Sequence, residues 1–591
     1  MVAFLRWLQS IALGTLNGIV RFVLVLVLLF VGLFALGLAV GDGMPNNMVL
    51  ALDLRHPIRD SAPRTFSLFA RPLTVMDIVL GLDAAEHDSR VKGVILRVGD
   101  ANLSVAQAEE IGAALKRFRN AGKFVIAHSQ GFDAPGLGDY LTAAAASEIW
   151  MQPRTPFSAA GEGGGELFLR GLLDKIDAVP QIAKRADYKS AADMYMEKNM
   201  TPADREQVTA LMQSWYDAAT AGVALDRKLP AKTLQAVFQA SPQFSEDVKK
   251  AGLIDKIGYE DDALAEALDR AGSGAKAVQM ADFVRVKDGL REAGSGSRIA
   301  VVEGSGEIVE GNPNGGMLDD SDLMGGDQIA KAIRDASQDS SVKAIVLRVD
   351  SPGGSVSASD QILHAVKKAQ ARGIPVVVSM GSVAASGGYY ISTSANRIVA
   401  EPGTITGSIG VLTGKVTLGK TLQLIGVGTD EVGVGKNALM DSGLVPYTPE
   451  QWAALNSEAD AIYADFKQKV AAGRKLPLDK VQEIAKGRIW SGADADSRGL
   501  VDELGGFWTA VDEARKLAKI APGEAVVIRQ YPREHGFFQS IGEAFGGNSA
   551  SMRALQGLVT LLNSPAARMA VSASRDLPHG GVEMRATNLP H

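Results

Sequence analysis

"VKGVILRV" occupies residues 91–98 and "VKAIVLRV" residues 342–349. Five of the eight positions are identical, and the other three exchange small or branched aliphatic residues. Each reads as a buried strand, because its apolar centre shows no polar alternation. Gly122 of "NAGKFVIAH" meets Gly373 of "ARGIPVVVS" at the same spacing. Slightly further on, "YLTAAAASEIW" from Tyr140 parallels "YISTSANRIV" from Tyr390. Ordered matches at nearly one spacing mark an internal duplication.

The two copies share a local grammar. A strand is followed by a loop and a helical stretch, "SVAQAEEIGAALKRFRNAG" in one and "SASDQILHAVKKAQARG" in the other, each ending at glycine. A second apolar strand and another helix come next. Strands alternating with helices imply an α/β fold with parallel strands. The expected organisation is two tandem domains, 46–290 and 299–525, joined by the flexible linker "REAGSGSR" at 291–298. The pattern fades after Pro522, so 526–591 reads as an extension and loose tail.

Composition narrows the function. The chain has 591 residues, 46% hydrophobic and 22% charged, with net charge −6. Nothing draws it to nucleic acid. It contains no cysteine, which excludes disulfides, thiolate metal sites and a cysteine nucleophile. The seven histidines are scattered without zinc-site spacing, and neither a metal nor a cofactor is expected. Residues 22–41, "FVLVLVLLFVGLFALGLAVG", carry no charge and are long enough to cross a bilayer as one helix. Arg6 and Arg21 precede this run and Asp42 follows it. Residues 1–21 would then be cytoplasmic, with the rest across the membrane. A cleaved signal peptide would have a shorter apolar core.

The copies diverge where chemistry would sit. "DSPGGSV" (350–356) in the second faces "GDANLSV" (99–105) in the first, so Asn102 and Leu103 replace Gly353 and Gly354. A glycine pair lets backbone N–H groups approach a ligand closely. Ser386, in "VAASGGYYIS", falls opposite Gly136 or Leu137, neither of which can attack anything. Ser386 is therefore a candidate nucleophile, with the amides of Gly387 and Gly354 as oxyanion donors. The plainer readings are a helix cap for Ser386 and a tight turn for the glycines. The base is not legible from spacing. His364 lies inside a helical pattern and His535 lies far along the chain. A lysine of lowered pKa is the next candidate.

The segment "DYKSAADMYMEKNMTPADRE" (187–206), with "DSPGGSV", "VAASGGYYIS" and "GTITGSIGV" (403–411), resembles the signal peptide peptidase A family in its long, duplicated bacterial form. These are serine–lysine peptidases with a ClpP/crotonase-like fold, and the resemblance covers about residues 20 to 525. It implies that Ser386 is the nucleophile, Lys189 of the first copy the general base, and Ser408 the residue that orients the lysine. It further implies a homotetramer anchored in the bacterial inner membrane, catalytic domains on the periplasmic side, with cleaved signal peptides and other apolar segments as substrates. Lys436, near the equivalent of Lys189 in the second copy, is a rival base. Two other readings keep the fold: a crotonase-like acyl-CoA enzyme, and a non-catalytic membrane scaffold.

"GKVTLGKT" (414–421) matches the phosphate-binding loop pattern. "KVTLGKTLQLIG" reads instead as an amphipathic helix, so nucleotide is not expected.

Overall fold

The computed structural model describes residues 43–61, 72–291, 296–313 and 323–532. The apolar run 22–41 lies outside these residues. Among the described residues no helix is long and apolar enough to cross a membrane.

The first copy contributes β1 (Met48–Asp53), β2 (Val91–Arg97), β3 (Phe124–Ser129), β4 (Glu148–Met151), β5 (Val179–Arg185), β6 (Lys256–Ile257) and β7 (Lys276–Gln279). All but β5 form one parallel sheet in the order β6-β4-β3-β2-β1-β7. The second copy contributes β8 (Ser297–Ser305), β9 (Val342–Ser351), β10 (Val376–Ala385), β11 (Arg397–Ala400), β12 (Ile405–Gly407), β13 (Val411–Thr417), β14 (Ile489–Ser491), β15 (Glu503–Leu504) and β16 (Val526–Tyr531). Its sheet runs β14-β12-β10-β9-β8-β16, with β11 on β10 and β15 on β11. β16 pairs with β8 over six positions, so this sheet continues past residue 525. The "VVIRQY" run was not legible as a strand, because its partner lies more than two hundred residues upstream. Ser297 and Arg298, assigned to the linker, belong to β8.

Helices α1 (Val105–Asn120), α2 (Gly138–Ala144), α3 (Arg170–Lys175), α4 (Pro202–Arg227), α5 (Val356–Ala371), α6 (Gly387–Ser392), α7 (Gly419–Leu424) and α8 (Pro449–Arg474) carry the duplication into three dimensions. Ser104 caps α1 by accepting from the Gln107 amide, while the Gln107 side chain returns the bond to the Ser104 amide. Such a capping box is worth about 1 kcal/mol. Helices α4 and α8 are both 26 residues long, start after a capping threonine and proline, and end at a left-handed lysine.

The structure fixes the alignment of the copies at Ser386. Ser386 and Leu137 precede α6 and α2, so Leu137, not Gly136, is the counterpart of Ser386. The buried Tyr140 hydroxyl donates to the Leu253 carbonyl, and the Tyr389 hydroxyl to the Leu500 carbonyl. Tyr140 therefore matches Tyr389 rather than Tyr390. The Tyr390 hydroxyl turns instead to Asp360.

Two features join the copies. The first is apolar. Along β9, Ala344 and Val346 join a core cluster that spans both copies, while Ile345 and Leu347 face a cluster made by the second copy alone. This is the period-2 alternation of a strand buried on both sides. The second feature is a strand exchange. β5 leaves its own sheet and pairs antiparallel with β13 over seven positions.

That exchange overturns one expectation. Residues 411–417 form a strand, not part of a helix, and only Gly419–Leu424 is helical. Gly414 sits at φ +151, where an added Cβ would lie 2.2 Å from the Gln181 carbonyl oxygen of β5. The Lys415 ammonium donates to the carbonyls of Met440 and Ser442, at 2.7 Å each. The stretch matching a phosphate loop is thus half strand, and its first lysine is spent on backbone.

Candidate active site

Strand β9 runs into the "DSPGGSV" turn. Gly353 and Gly354 adopt φ +107 and +148, in the region that favours glycine. Space restricts them as well. A Cβ on Gly353 would lie 2.8 Å from Ser386 Cβ, and one on Gly354 would lie 2.1 Å from the Ile308 carbonyl oxygen. The short strand Glu307–Val309 braces the turn: the Ile308 amide donates to Gly353 O, and the Ser355 amide to Ile308 O. Asp350 is a structural residue here, since its Oδ1 accepts from the Val383 amide at 2.9 Å.

Strand β10 delivers Ser386 at the first turn of α6. Its backbone is strained, at φ 53 and ψ −115. Non-glycine residues pay for such angles, which cluster where a side chain must be aimed. The Ser386 amide donates to Gly407 O of β12 at 2.9 Å, and Ser386 O accepts from the Tyr390 amide at 2.8 Å. Both sides of the serine are therefore held. The amides of Gly354 and Gly387 donate to no backbone acceptor among the described residues. An added Cβ on Gly387 would fall 3.1 Å from the Gly354 nitrogen. The two amide nitrogens thus lie close together beside Ser386.

Lys189 arrives from the first copy, in the turn after β5. Its Nζ lies 3.0 Å from Ser386 Oγ. It donates to Ser408 Oγ at 2.9 Å and to Ser408 O at 3.2 Å. The side chain is 5% exposed, and burial pulls its pKa down from 10.5 to about 8. Among the described residues no carboxylate bonds the ammonium. That matters, because an acid partner would restore the charge and spoil a base. Ser408, 9% exposed, holds its own left-handed backbone at φ 51 through its amide on Arg488 O. The structure therefore brings Ser386, Lys189, Ser408, Gly354 and Gly387 together. Lys436 is exposed, and the position beside Ser386 is filled by Lys189.

Several supports were not read from the sequence. Gly410 and Gly487 wall the lysine; a Cβ on Gly487 would lie 2.6 Å from Lys189 Cβ. The buried Gln207 side chain of α4 donates to Tyr188 O and Ser190 Oγ and accepts from the Ile489 amide of β14. One residue thus clamps both flanks of Lys189 to the second copy. Arg488 pairs with Glu206 through two bonds, 2.6 and 2.8 Å, and stacks over Tyr188 and Trp490. The sequence offered only the adjacency of Gln207 to the "YKSA" segment, which does not say what it touches.

If the Gly354 amide is an oxyanion donor, Gly354→Ala is expected to cost about 10²–10³ in kcat by displacing it. KM should change far less, because the donor acts on the transition state. A KM effect with kcat preserved would assign Gly354 to substrate binding instead.

The chain matches the family model "Peptidase family S49" at residues 117–273 and 368–521, once in each copy. It is 32% identical over 557 residues to Protease 4 of Salmonella typhi, covering 88% of this chain and 87% of that protein. It is 33% identical over 475 residues to Protease 4 of Haemophilus influenzae, covering 77% and 75%. It is 30% identical over 531 residues to the chloroplastic serine protease SPPA of Arabidopsis thaliana, covering 88% and 77%. These relatives run through both copies and through the junction that brings Lys189 to Ser386. The chain belongs to peptidase family S49, in its long, duplicated form, and is a serine endopeptidase.

Proposed function

We propose that this endopeptidase is anchored in the bacterial inner membrane by residues 22–41 and degrades signal peptides left after their release from secreted proteins. In this reading each copy is a ClpP/crotonase-like unit, the enzyme is a homotetramer, and its catalytic domains lie on the periplasmic side. Ser386 is the nucleophile, Lys189 the base, and Ser408 the residue that orients the lysine. The observation that carries the reading is the 3.0 Å approach of Lys189 Nζ to Ser386 Oγ across two copies. The uncharged run 22–41 supports the anchor. A crotonase-like reaction would need no nucleophilic serine, and a scaffold would need no desolvated lysine.

The chemistry follows from the contacts. Neutral Lys189 takes the Ser386 proton as Oγ attacks the scissile carbonyl. The amides of Gly354 and Gly387 hold the oxyanion. Collapse expels the amine, which takes the proton from Lys189, and leaves an ester on Ser386. Lys189 then deprotonates the water that cleaves the ester. Ser408 accepts from the ammonium whenever Lys189 carries the proton.

Because Lys189 must be neutral, kcat/KM should rise about tenfold per pH unit below pKa and level off above it. The break is expected at about 8. A rate that stays flat between about pH 6 and 9 on an uncharged peptide would remove Lys189 as the base. The substrate class is tested with the full chain in detergent micelles. A labelled apolar signal-peptide mimic should be cleaved in preference to a polar peptide of equal length. Equal rates on both would sink the substrate assignment while leaving the peptidase intact.

A further inference from the structure

Beneath the turn that carries Lys189 lies a group of carboxyls that the mechanism does not use. Asp204 of α4 and Asp193 of the short helix Asp193–Met196 are each 1% exposed. Glu166, half-buried, reaches Asp204 within hydrogen-bonding distance. The surroundings are anionic: Asp193 faces Glu166, and Glu197 faces Asp193. Lys184 of β5 is taken up by Asp193 Oδ1, at 2.5 Å. Asp204 Oδ1 accepts from Gln207 Nε2 at 3.0 Å. Asp204 Oδ2 is buried, and no donor reaches it among the described residues. A buried acceptor left without a donor is costly. Two carboxyls in contact can bond only through a proton between them. Among the described residues no group of such side chains is placed to hold a metal ion. A proton on Glu166 is therefore what completes Asp204.

Gln207 links this pair to the base. Its Nε2 has two hydrogens and three acceptors in reach: Asp204 Oδ1, Tyr188 O at 3.1 Å and Ser190 Oγ at 3.0 Å. The acceptors compete. An ionised Asp204 that shares no proton draws the amide hardest, because bonds to a charged acceptor are about twice as strong.

We propose that Glu166 and Asp204 share one proton, and that this proton leaves Gln207 free to hold the turn of Lys189. Glu166 is then a positioning residue. Its O–H donates to Asp204 Oδ2 and disperses the charge, so Gln207 keeps its hydrogens on Tyr188 and Ser190. When the proton is lost to solvent, two anions are left in contact. Gln207 then turns to Asp204, and the backbone on both sides of Lys189 loosens. Burial, with the charges of Asp204 and Asp193, pushes the Glu166 carboxyl up to about 7. The change thus falls just below the break set by Lys189, at about 8. Burial is what lowers the lysine, so the pair acts on its position and not on its charge.

The effect on rate rests on Lys189 being the base, whereas the effect on the turn does not, so two readouts on the full chain in detergent micelles separate them. The first is hydrogen exchange. The amides of Tyr188, Lys189 and Ser190 all donate to backbone carbonyls. In the wild type their protection, corrected for intrinsic exchange, should fall about threefold between pH 6 and 8.5. Glu166→Gln donates to Asp204 without titrating, and should keep its protection over that range. Glu166→Ala has no donor, and should be poorly protected at both pH values. The second readout is cleavage of an uncharged peptide. The ratio of kcat/KM in Glu166→Gln to that in the wild type should rise about threefold over the same range. Wild-type protection that does not change with pH, or that falls equally in Glu166→Gln, overturns the proposal. A rate ratio that stays constant in a Lys189-dependent enzyme overturns it too. The expected protection change in a protein whose rate is indifferent to Lys189 would instead refute the base and leave the shared proton standing.

Discussion

Replacing Lys189 with methionine is expected to abolish turnover and to make the protein more stable. The catalytic loss should be about 10²–10⁴ in kcat, the range for general acid–base catalysis. The gain in stability follows from the same desolvation. Lys189 titrates at about 8 when folded, against 10.5 for an ordinary lysine. Below pH 8 the group is charged in both states, and the folded protein bears the full cost of burying it. Between 8 and 10.5 the unfolded chain binds more protons, so stability rises with pH. Above 10.5 the cost is gone. The shift corresponds to about 3 kcal/mol. Methionine fills a similar volume without the charge, but forfeits the bonds to Ser408, each worth about 1 kcal/mol. A net gain of about 1–2 kcal/mol at pH 7 is expected, shrinking toward pH 10.5. Urea unfolding of both proteins at the two pH values measures it. A methionine variant less stable than wild type at pH 7 would show that the lysine site is hydrated rather than dry.

Asp60→Ala should destabilise the junction between the copies by about 3–5 kcal/mol, the cost of stranding a buried charge. Arg348 of β9 is 2% exposed and Asp60 2%. Asp60 receives Arg348 Nε at 2.9 Å and Nη2 at 2.5 Å, while Nη1 donates to Glu110 at 2.8 Å and Ser379 at 2.9 Å. Asp60 and Glu110 belong to the first copy and Arg348 to the second, so the network spans the interface. Removing Asp60 leaves half of a planar cation unpaired. Asp60→Asn keeps one acceptor and should cost clearly less. Chemical denaturation distinguishes them; a loss below about 1 kcal/mol for Asp60→Ala would mean that water reaches the guanidinium. Activity should fall with stability, because β9 leads directly into the Gly353–Gly354 turn beside Ser386.

The paired "VKxxxLRV" strands, their capped helices and the glycine-rich turn were legible because each is fixed by neighbours in sequence. Period, caps and glycine positions act over a few residues. Ser386 was legible as a candidate for the same reason: it sits on a local strand-to-helix turn, and the other copy has Leu137 in its place. Gln207, Arg348 and the run to Tyr531 were not legible, because their partners lie on other elements and spacing does not record them. The choice between Lys189 and Lys436 is the clearest case. Lys436 lies near the place in its copy that Lys189 holds in the first, and resemblance to a family favoured Lys189. Only the tertiary structure puts Lys189 on Ser386. β5 crosses to β13 of the other copy, Gln207 pins the turn that follows, and the first copy's lysine is carried into a buried site that it shares with Ser408 of the second. Local sequence set the elements and the exposed turn at Ser386, whereas the place of Lys189 beside it is a property of the contact between the copies, because its lowered pKa depends on burial that neither copy supplies alone.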